Sequence, residues 1–331
     1  MSKAYDYLVF IGRFQPFHRA HQGVIAQALA LADNVILLLG SADSPRTVSN
    51  PWTVAEREAM IRSTYSEEDN QRIFIRGIVD HPHDDVAWQR NVVRTVNEIS
   101  GPDRAIGLIG HMKDSSSYYL GLFPDWAMVS VDNIDQINAT DLRKQLFSLP
   151  DSQTFHHPDL HPAINQTLEA FRHSEDFSRL QAEYAHLQAH KEAWTNAPFP
   201  PIFVTVDALV LCQQCVLMVQ RKGPLGAGLW ALPGGFVEKE ETLADGARRE
   251  LYEETGLALE QDALAVSVFD RPDRSARGRT ITHVHSYSLD DDVCPEVQAA
   301  DDAAEARWIP LAELKRSQCF EDHYSIIQAM T

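Results

Sequence analysis

The sequence predicts an α/β chain in two parts, a doubly wound parallel sheet followed by a smaller α+β sandwich. Three observations carry this expectation. The 331 residues are about twice what one domain usually occupies. Short apolar runs alternate with helical stretches up to about residue 150. A proline-rich break at residues 197–201 then separates this rhythm from a different one.

In the first part, residues 5–11, 35–40, 72–79, 105–109 and 127–131 read as buried strands, short runs such as Val35-Ile36-Leu37-Leu38-Leu39 without a polar face. Between them, residues 21–32, 53–65 and 85–99 have helical spacing and helix-forming composition. Repeated βα units build a parallel sheet with ligands at the carboxyl ends of its strands. Residues 161–194 are helical only, and Pro198, Pro200 and Pro201 stop that helix because proline has no N–H to donate. The expected boundaries are therefore residues 1–196, a linker at 197–201, and residues 202–331. The second part reads as strands at 202–211 and 216–221, a helix at 242–255, strands near 264–269 and 281–289, and a short C-terminal helix.

Composition excludes several classes. Hydrophobic residues are 44% and charged residues 23%, an ordinary globular balance that argues against disorder, collagen repeats and coiled coil. No apolar run approaches the ~18 residues of a membrane span, and the N-terminal segment lacks a signal-peptide pattern, so the expected location is cytoplasmic with no membrane partner. A net charge of −18 repels phosphate backbones and disfavours a general nucleic-acid binder. A small anionic substrate feels the local field of its pocket instead. Four cysteines are too few for a disulfide framework. Cys212 and Cys215 flank Gln213-Gln214 in an apolar stretch and read as strand residues beside a hairpin turn; Cys294 and Cys319 are too isolated to complete a zinc site. His156, His157 and His161, interrupted by Pro158 and Pro162, read as a connecting segment.

The first strand ends in Gly12-Arg13-Phe14-Gln15-Pro16-Phe17-His18-Arg19-Ala20-His21, after which a helix begins. Such a turn presents backbone N–H groups and the positive end of a helix dipole to phosphate. His18 and His21, three apart, share one face of a first helical turn, with Arg13 as a fixed charge beside them. The segment resembles the HxGH signature of the nucleotidyltransferase superfamily, in the form found in one type of nicotinamide-mononucleotide adenylyltransferase. A second family signature is similar to Ile137-Asn138-Ala139-Thr140-Asp141-Leu142-Arg143. Further similar segments are Asn50-Pro51-Trp52-Thr53 with Glu56-Arg57, Asp80 followed by Trp88, and residues 110–114. Ala20 replaces the usual glycine and Asn138 stands where serine is common.

The resemblance implies a Rossmann-like nucleotidyltransferase domain in which the mononucleotide's phosphate attacks the α-phosphorus of ATP. The nucleophile is already an anion, so catalysis is positioning and charge stabilisation with Mg²⁺. By the same resemblance His18, His21, Thr140 and Arg143 hold the triphosphate, Arg13 lies near the reacting phosphates, and Gly12 lines the loop. Trp88 would stack on the nicotinamide and Asp80 orient the ligand. Packing against the core is the competing reading of Trp88.

In the second part, Glu250, Glu253 and Glu254 fall within an arc of about 100° on one helix, a ledge of oxygen ligands suited to Mg²⁺ or Mn²⁺. Leu243, Ala247 and Leu251 form the apolar stripe that anchors this helix, and Gly256 is placed to end it. Gly235, Glu241, Arg249, Glu250, Leu251, Glu253, Glu254, Gly256 and Leu257 match every specified position of the Nudix box. The resemblance implies metal-dependent hydrolysis of a nucleoside diphosphate derivative, Glu253 and Glu254 being catalytic and Arg249 orienting a carboxylate. Pro272 lies where ADP-ribose pyrophosphatases of that family carry a proline, and Arg271 and Arg279 around it would hold phosphates, or be solvated charges of a hairpin loop. Glu296, Asp301, Asp302 and Glu305 are the candidates for a general base outside the box.

In this order, the two resemblances are similar to a bifunctional adenylyltransferase and Nudix hydrolase. They imply ATP, nicotinamide mononucleotide and ADP-ribose as ligands. Three alternatives stay open: a Nudix-like domain that senses ADP-ribose without cleaving it, one that acts on another nucleoside diphosphate derivative, and nucleotidyl transfer to a different phosphate. A homo-oligomer is also left open.

Overall fold

A computed structural model of the chain describes residues 3–110, 121–131, 137–290, 293–301 and 303–331. The residues pack as two compact units, Met1–Gln181 and Ala182–Thr331. Among the described residues, no helix is long and apolar enough to cross a membrane.

The first unit is built on five parallel strands, β1 (Tyr5–Gly12), β2 (Ala32–Ala42), β3 (Ile73–Val79), β4 (Ile106–Gly110) and β5 (Ala127–Ser130), in the order β3-β2-β1-β4-β5. Its helices are α1 (Arg19–Leu31), α2 (Val54–Arg62), α3 (Glu67–Arg72), α4 (Asp85–Ser100), α5 (Ala139–Ser148), α6 (Pro162–Phe171) and the start of α7 (Glu175–Ala193). Central β1 pairs through Val9 with Ile36 of β2 and Leu108 of β4, all three side chains buried. The strand order reverses at β1, and there the carboxyl ends of an open α/β sheet leave a crevice. The α+β and parallel-sheet expectations therefore meet the observed class, α/β overall.

Local chemistry sets the helix starts. Thr53 caps α2 in a reciprocal box with Glu56. Ser66 caps α3, so residues 53–65, expected as one helix, are followed by a second short one. His161 caps α6 by accepting from Ala163 N–H, and His157 Nδ1 accepts from Asp159 N–H, so the histidine segment is a backbone connection.

The second unit begins within α7. Residues 197–201 lead into β6 (Phe203–Cys212), β7 (Cys215–Arg221), β8 (Trp230–Ala231), β9 (Gly234–Phe236), α8 (Leu243–Thr255), β10 (Ala265–Phe269), β11 (Thr280–Leu289), β12 (Ala303–Pro310) and α9 (His323–Met330). The mixed sheet runs β10-β11-β6-β7-β12, with β11 and β6 parallel, β8 on β7 and β9 on β6. The period-two alternation of β6 divides its partners. Ala208 and Val210 pack with Leu251 of α8, while Leu209 packs with Ile326 and Ile327 of α9. Cys212 and Cys215 close a hairpin whose two turn residues, Gln213 and Gln214, have φ of 48° and 63°, as a two-residue hairpin of this hand requires. All four cysteines are free thiols.

Two candidate active sites

The first site forms where β1 runs out. Gly12 ends the strand, and a side chain there would press on the Phe14 ring. Gln15 locks the following loop by pairing with the backbone of Trp52 in both directions, at 2.9 and 3.1 Å. His18 caps α1, its N–H donating to His21 Nδ1 at 3.3 Å. The two imidazoles stack at 3.7 Å, and Phe17 lies flat against His21 at 5.6 Å. The first turn of α1 holds no acidic residue, so its dipole meets the site undiminished. Ala20 occupies the second position of that helix, where alanine is a better helix former than glycine.

Opposite this loop stands α5. Asn138 caps it, its Oδ1 accepting from Thr140 N–H at 2.8 Å, a bond that a serine hydroxyl at a helix N-cap can also accept. Buried Arg143 donates to the carbonyl of Gln15 and to Thr140 Oγ1. Burial, and then the nearby Arg13, push its guanidinium down to about 10. Arg143 thus ties the start of α5, with Thr140, to the loop between Gly12 and His18, and Arg13 of that loop acts on its charge. Asp80 borders it, accepting from Ser41 N–H at 3.1 Å and Ser41 Oγ at 2.6 Å beside Gly40. Trp88 sits half-buried on α4 with its ring 5.9 Å from Phe123, packed against the apolar cluster of Val92 and Val96. Residues 111–114 lie outside the described residues.

The second site is built on α8. Thr242 caps the helix, and Gly256 ends it in the left-handed region at φ 70°, where glycine carries no Cβ penalty. A methyl group on Gly235 would collide with the Glu250 carboxylate, and one on Gly234 with the β6 backbone at Val206 and Asp207. These glycines let β9 lie directly against the acidic face. Arg249 organises that face: Nε and Nη2 donate to Glu241 at 2.9 and 2.8 Å, and Nη1 to Glu250 at 2.9 Å and Glu253 at 2.8 Å. These bonds hold Glu241 below the usual carboxylate range and move Arg249 upward. Glu254, buried, accepts from Gly234 N–H at 3.0 Å.

Glu250, Glu253 and Glu254 share the expected helix edge, yet among the described residues no three acidic, histidine or cysteine side chains converge on one point. Arg249 draws two of these carboxylates to itself and Gly234 holds the third. The donor set nevertheless suits a hard dication: Glu241, Glu250 and Glu253 share the single Arg249 guanidinium and Glu254 follows on the same helix, an excess of negative charge that oxygen-preferring cations offset.

The arginine-rich loop of residues 271–279 takes acidic partners. Arg274 and Asp322 form a buried pair at 2.8 Å, Arg271 meets Asp273 at 3.3 Å, Arg277 meets Glu321 at 3.9 Å, and Arg279 meets Asp270 at 3.8 Å. Pro272 is exposed between them. Of the general-base candidates, exposed Glu296 and Asp301 flank a segment whose Gln298 and Ala300 N–H groups bond the carbonyls of Thr255 and Glu254. Glu305 lies on β12 near Arg307, and Asp302 is outside the described residues. Sequence reasoning missed the buried network behind the sheet: Asp207 accepting from Thr282 Oγ1, and His323 Nδ1 accepting from Leu232 N–H.

Fold and sites define a chain that joins a nucleotidyltransferase unit to a Nudix unit. Residues 9–93 match the cytidylyltransferase-like family and residues 201–330 the NUDIX domain. A nicotinamide/nicotinic acid mononucleotide adenylyltransferase of Acinetobacter baylyi is 41% identical over 54% of this chain and 94% of its own length. An ADP-ribose pyrophosphatase of Methanocaldococcus jannaschii is 38% identical over 38% of this chain and 70% of its own. The crystal structure of a bifunctional NMN adenylyltransferase/ADP ribose pyrophosphatase from Francisella tularensis, complexed with AMP and a manganese ion, covers 98% of both chains at 37% identity and a TM-score of 0.90. The chain belongs to this bifunctional NMN adenylyltransferase/ADP-ribose pyrophosphatase family.

Proposed function

We propose that the first unit transfers the adenylyl group of ATP to nicotinamide mononucleotide (NMN), giving NAD and pyrophosphate, and that the second hydrolyses ADP-ribose to AMP and ribose 5-phosphate. The observation that carries this reading is the end-to-end likeness to the Francisella bifunctional enzyme, with both charged sites built in the matching order. Residues 1–196 and 202–331 are the extents we assign to the two functions. The small number of cysteines favours the cytoplasm.

In the first site, Arg13, His18, His21, Thr140 and Arg143 hold the triphosphate against the N-terminus of α1, with Gly12 lining the loop. The mononucleotide's phosphate is charged at neutral pH, so these residues need only align it with the α-phosphorus and offset the charge of the departing pyrophosphate. Asp80, fixed by Ser41, orients the ligand. Trp88 is assigned to the nicotinamide ring.

In the second site, Glu250, Glu253 and Glu254 would hold Mg²⁺ or Mn²⁺. The chemistry such a cation supplies is neutralisation of the pyrophosphate and a more acidic attacking water. Arg249 holds Glu250 and Glu253 in place, and Gly234 N–H holds Glu254. Gly235, lacking a Cβ, leaves room for the Glu250 carboxylate. Arg271, Pro272 and Arg279 border the ADP-ribose.

Purified chain is incubated with ATP, NMN and Mg²⁺, and separately with ADP-ribose and Mg²⁺, and the products are separated by chromatography. NAD with pyrophosphate, and AMP with ribose 5-phosphate, are expected. Absence of either pair overturns the corresponding half.

A further inference from the structure

The geometry points to Arg57 as a positioning residue for adenylyl transfer, one that pins the phosphate-holding loop after β1 to the end of β2 and the start of α2 and supplies it with buried positive charge. The inference rests on the transferase reading above. Arg57 lies on α2 and is 1% exposed, the largest side chain so completely buried in the molecule's described residues. Its Nη1 donates to the carbonyls of Arg13 and Gly40, both at 2.7 Å, and its Nε to Thr53 at 3.3 Å. Those three carbonyls mark the end of β1, the end of β2 and the start of α2. One planar guanidinium thereby fixes three chain junctions that sequence holds far apart.

Two further features separate this residue from an ordinary internal strut. Both hydrogens of Nη1 are used, whereas Nη2 donates to no group among the described residues. No carboxylate among them stands within ion-pair distance either. The nearest acidic influence is Asp80, already committed to Ser41, and Arg13 adds a second positive charge nearby. Burial, opposed by Asp80 and reinforced by Arg13, pushes Arg57 down to about 10. A cation removed from water without a contact anion is unfavourable, and a group that supplies the anion recovers the loss. A bound triphosphate supplies it. Lysine keeps the charge but lacks the planar group that reaches Thr53 through Nε and the other two carbonyls through Nη1.

The test uses the full chain with Arg57→Lys and Arg57→Met. It measures kcat and KM for ATP and NMN, the Kd for ATP by calorimetry, thermal melting, and ADP-ribose hydrolysis in the same preparations as a control carried by the same chain. Arg57→Met is expected to lower kcat/KM for ATP about 100-fold and Arg57→Lys about 10-fold, with ATP affinity falling in the same order and hydrolysis unchanged. Should Arg57→Met fail to fold, Arg57→Lys alone decides. The inference is overturned if the folded variants bind and use ATP within about twofold of wild type, or if the loss only tracks the fraction unfolded. A wild-type chain that binds ATP but makes no NAD refutes the transferase reading instead, and ATP affinity then still decides the role of Arg57.

Discussion

The two sites address the same kind of group, a chain of phosphates, with opposite charge. Beside the carboxyl ends of β1 and β2, Arg13, Arg57 and Arg143 gather with His18 and His21, and the bordering carboxylate, Asp80, is engaged by Ser41. At α8, three glutamates, Glu241, Glu250 and Glu253, surround Arg249. The first arrangement attracts a polyanion directly. On the second it is repelled unless a cation stands between, so the acidic ledge takes its specificity from what it recruits. The difference also shows in how each site bears its own repulsion: burial lowers the pKa of Arg57 and Arg143, whereas Glu241, Glu250 and Glu253 share one guanidinium that holds Glu241 below the usual carboxylate range.

The largest effect expected from this contrast is selective loss of one reaction. Glu254→Gln keeps shape and the bond from Gly234 N–H but removes a charge from the ledge; ADP-ribose hydrolysis should fall about 1,000-fold while NAD synthesis is unchanged. A loss under about tenfold would break the metal-ledge reading. Chelation with EDTA should likewise stop hydrolysis and leave metal-free ATP binding measurable by calorimetry.

Next in size is the reciprocal change. His18→Ala keeps the backbone N–H that meets His21 but removes the ring stacked on it, and adenylyl transfer should drop about 100-fold with hydrolysis retained. Unchanged transfer in a folded variant would remove His18 from the site.

A smaller effect follows from Arg249. Its bonds hold Glu241 below the ordinary glutamate range. A carboxylate whose folded pKa is lowered stabilises the fold fully above its unfolded pKa, and that stability is lost as pH falls through the folded value. Arg249→Lys, which cannot bond three glutamates at once, should raise the pH at which α8 opens in acid, read from amide exchange. An unmoved acid limb would mean that Arg249 does not set the ionisation of the ledge.

Much of this was legible in the sequence, for identifiable reasons. Apolar runs such as Val35 to Leu39 announce buried parallel strands because both of their faces are covered. The glutamates of α8 show their common edge because helical spacing is fixed. Residues whose role depends on distant partners gave no such signal. Arg57 reaches a carbonyl 44 positions away, and Arg274 pairs with Asp322 across 48, so neither spacing nor composition reveals what they hold. In the loop around Pro272, the partners of Arg274 and Arg277, Asp322 and Glu321, lie in another segment, so those two ion pairs leave no mark on the local sequence. Helix α3 escaped because Glu67–Arg72 has no apolar periodicity and depends on the Ser66 cap.

The smallest expected effect concerns Asn138, where the sequence departs from the family signature without changing its physics. Its Oδ1 accepts from Thr140 N–H at 2.8 Å and fixes the turn from which Thr140 and Arg143 reach the loop after β1. A serine hydroxyl can accept from the same end of the helix, so Asn138→Ser should leave ATP affinity and melting nearly unchanged. Asn138→Ala leaves that N–H unbonded and should cost about 1 kcal/mol, measured as a lower melting temperature with a severalfold rise in KM for ATP. The comparison sharpens the cation-rich site in one respect. If alanine matches serine in both measurements, the turn is held by Arg143 alone; if serine keeps what alanine loses, the cap and the guanidinium position the triphosphate together.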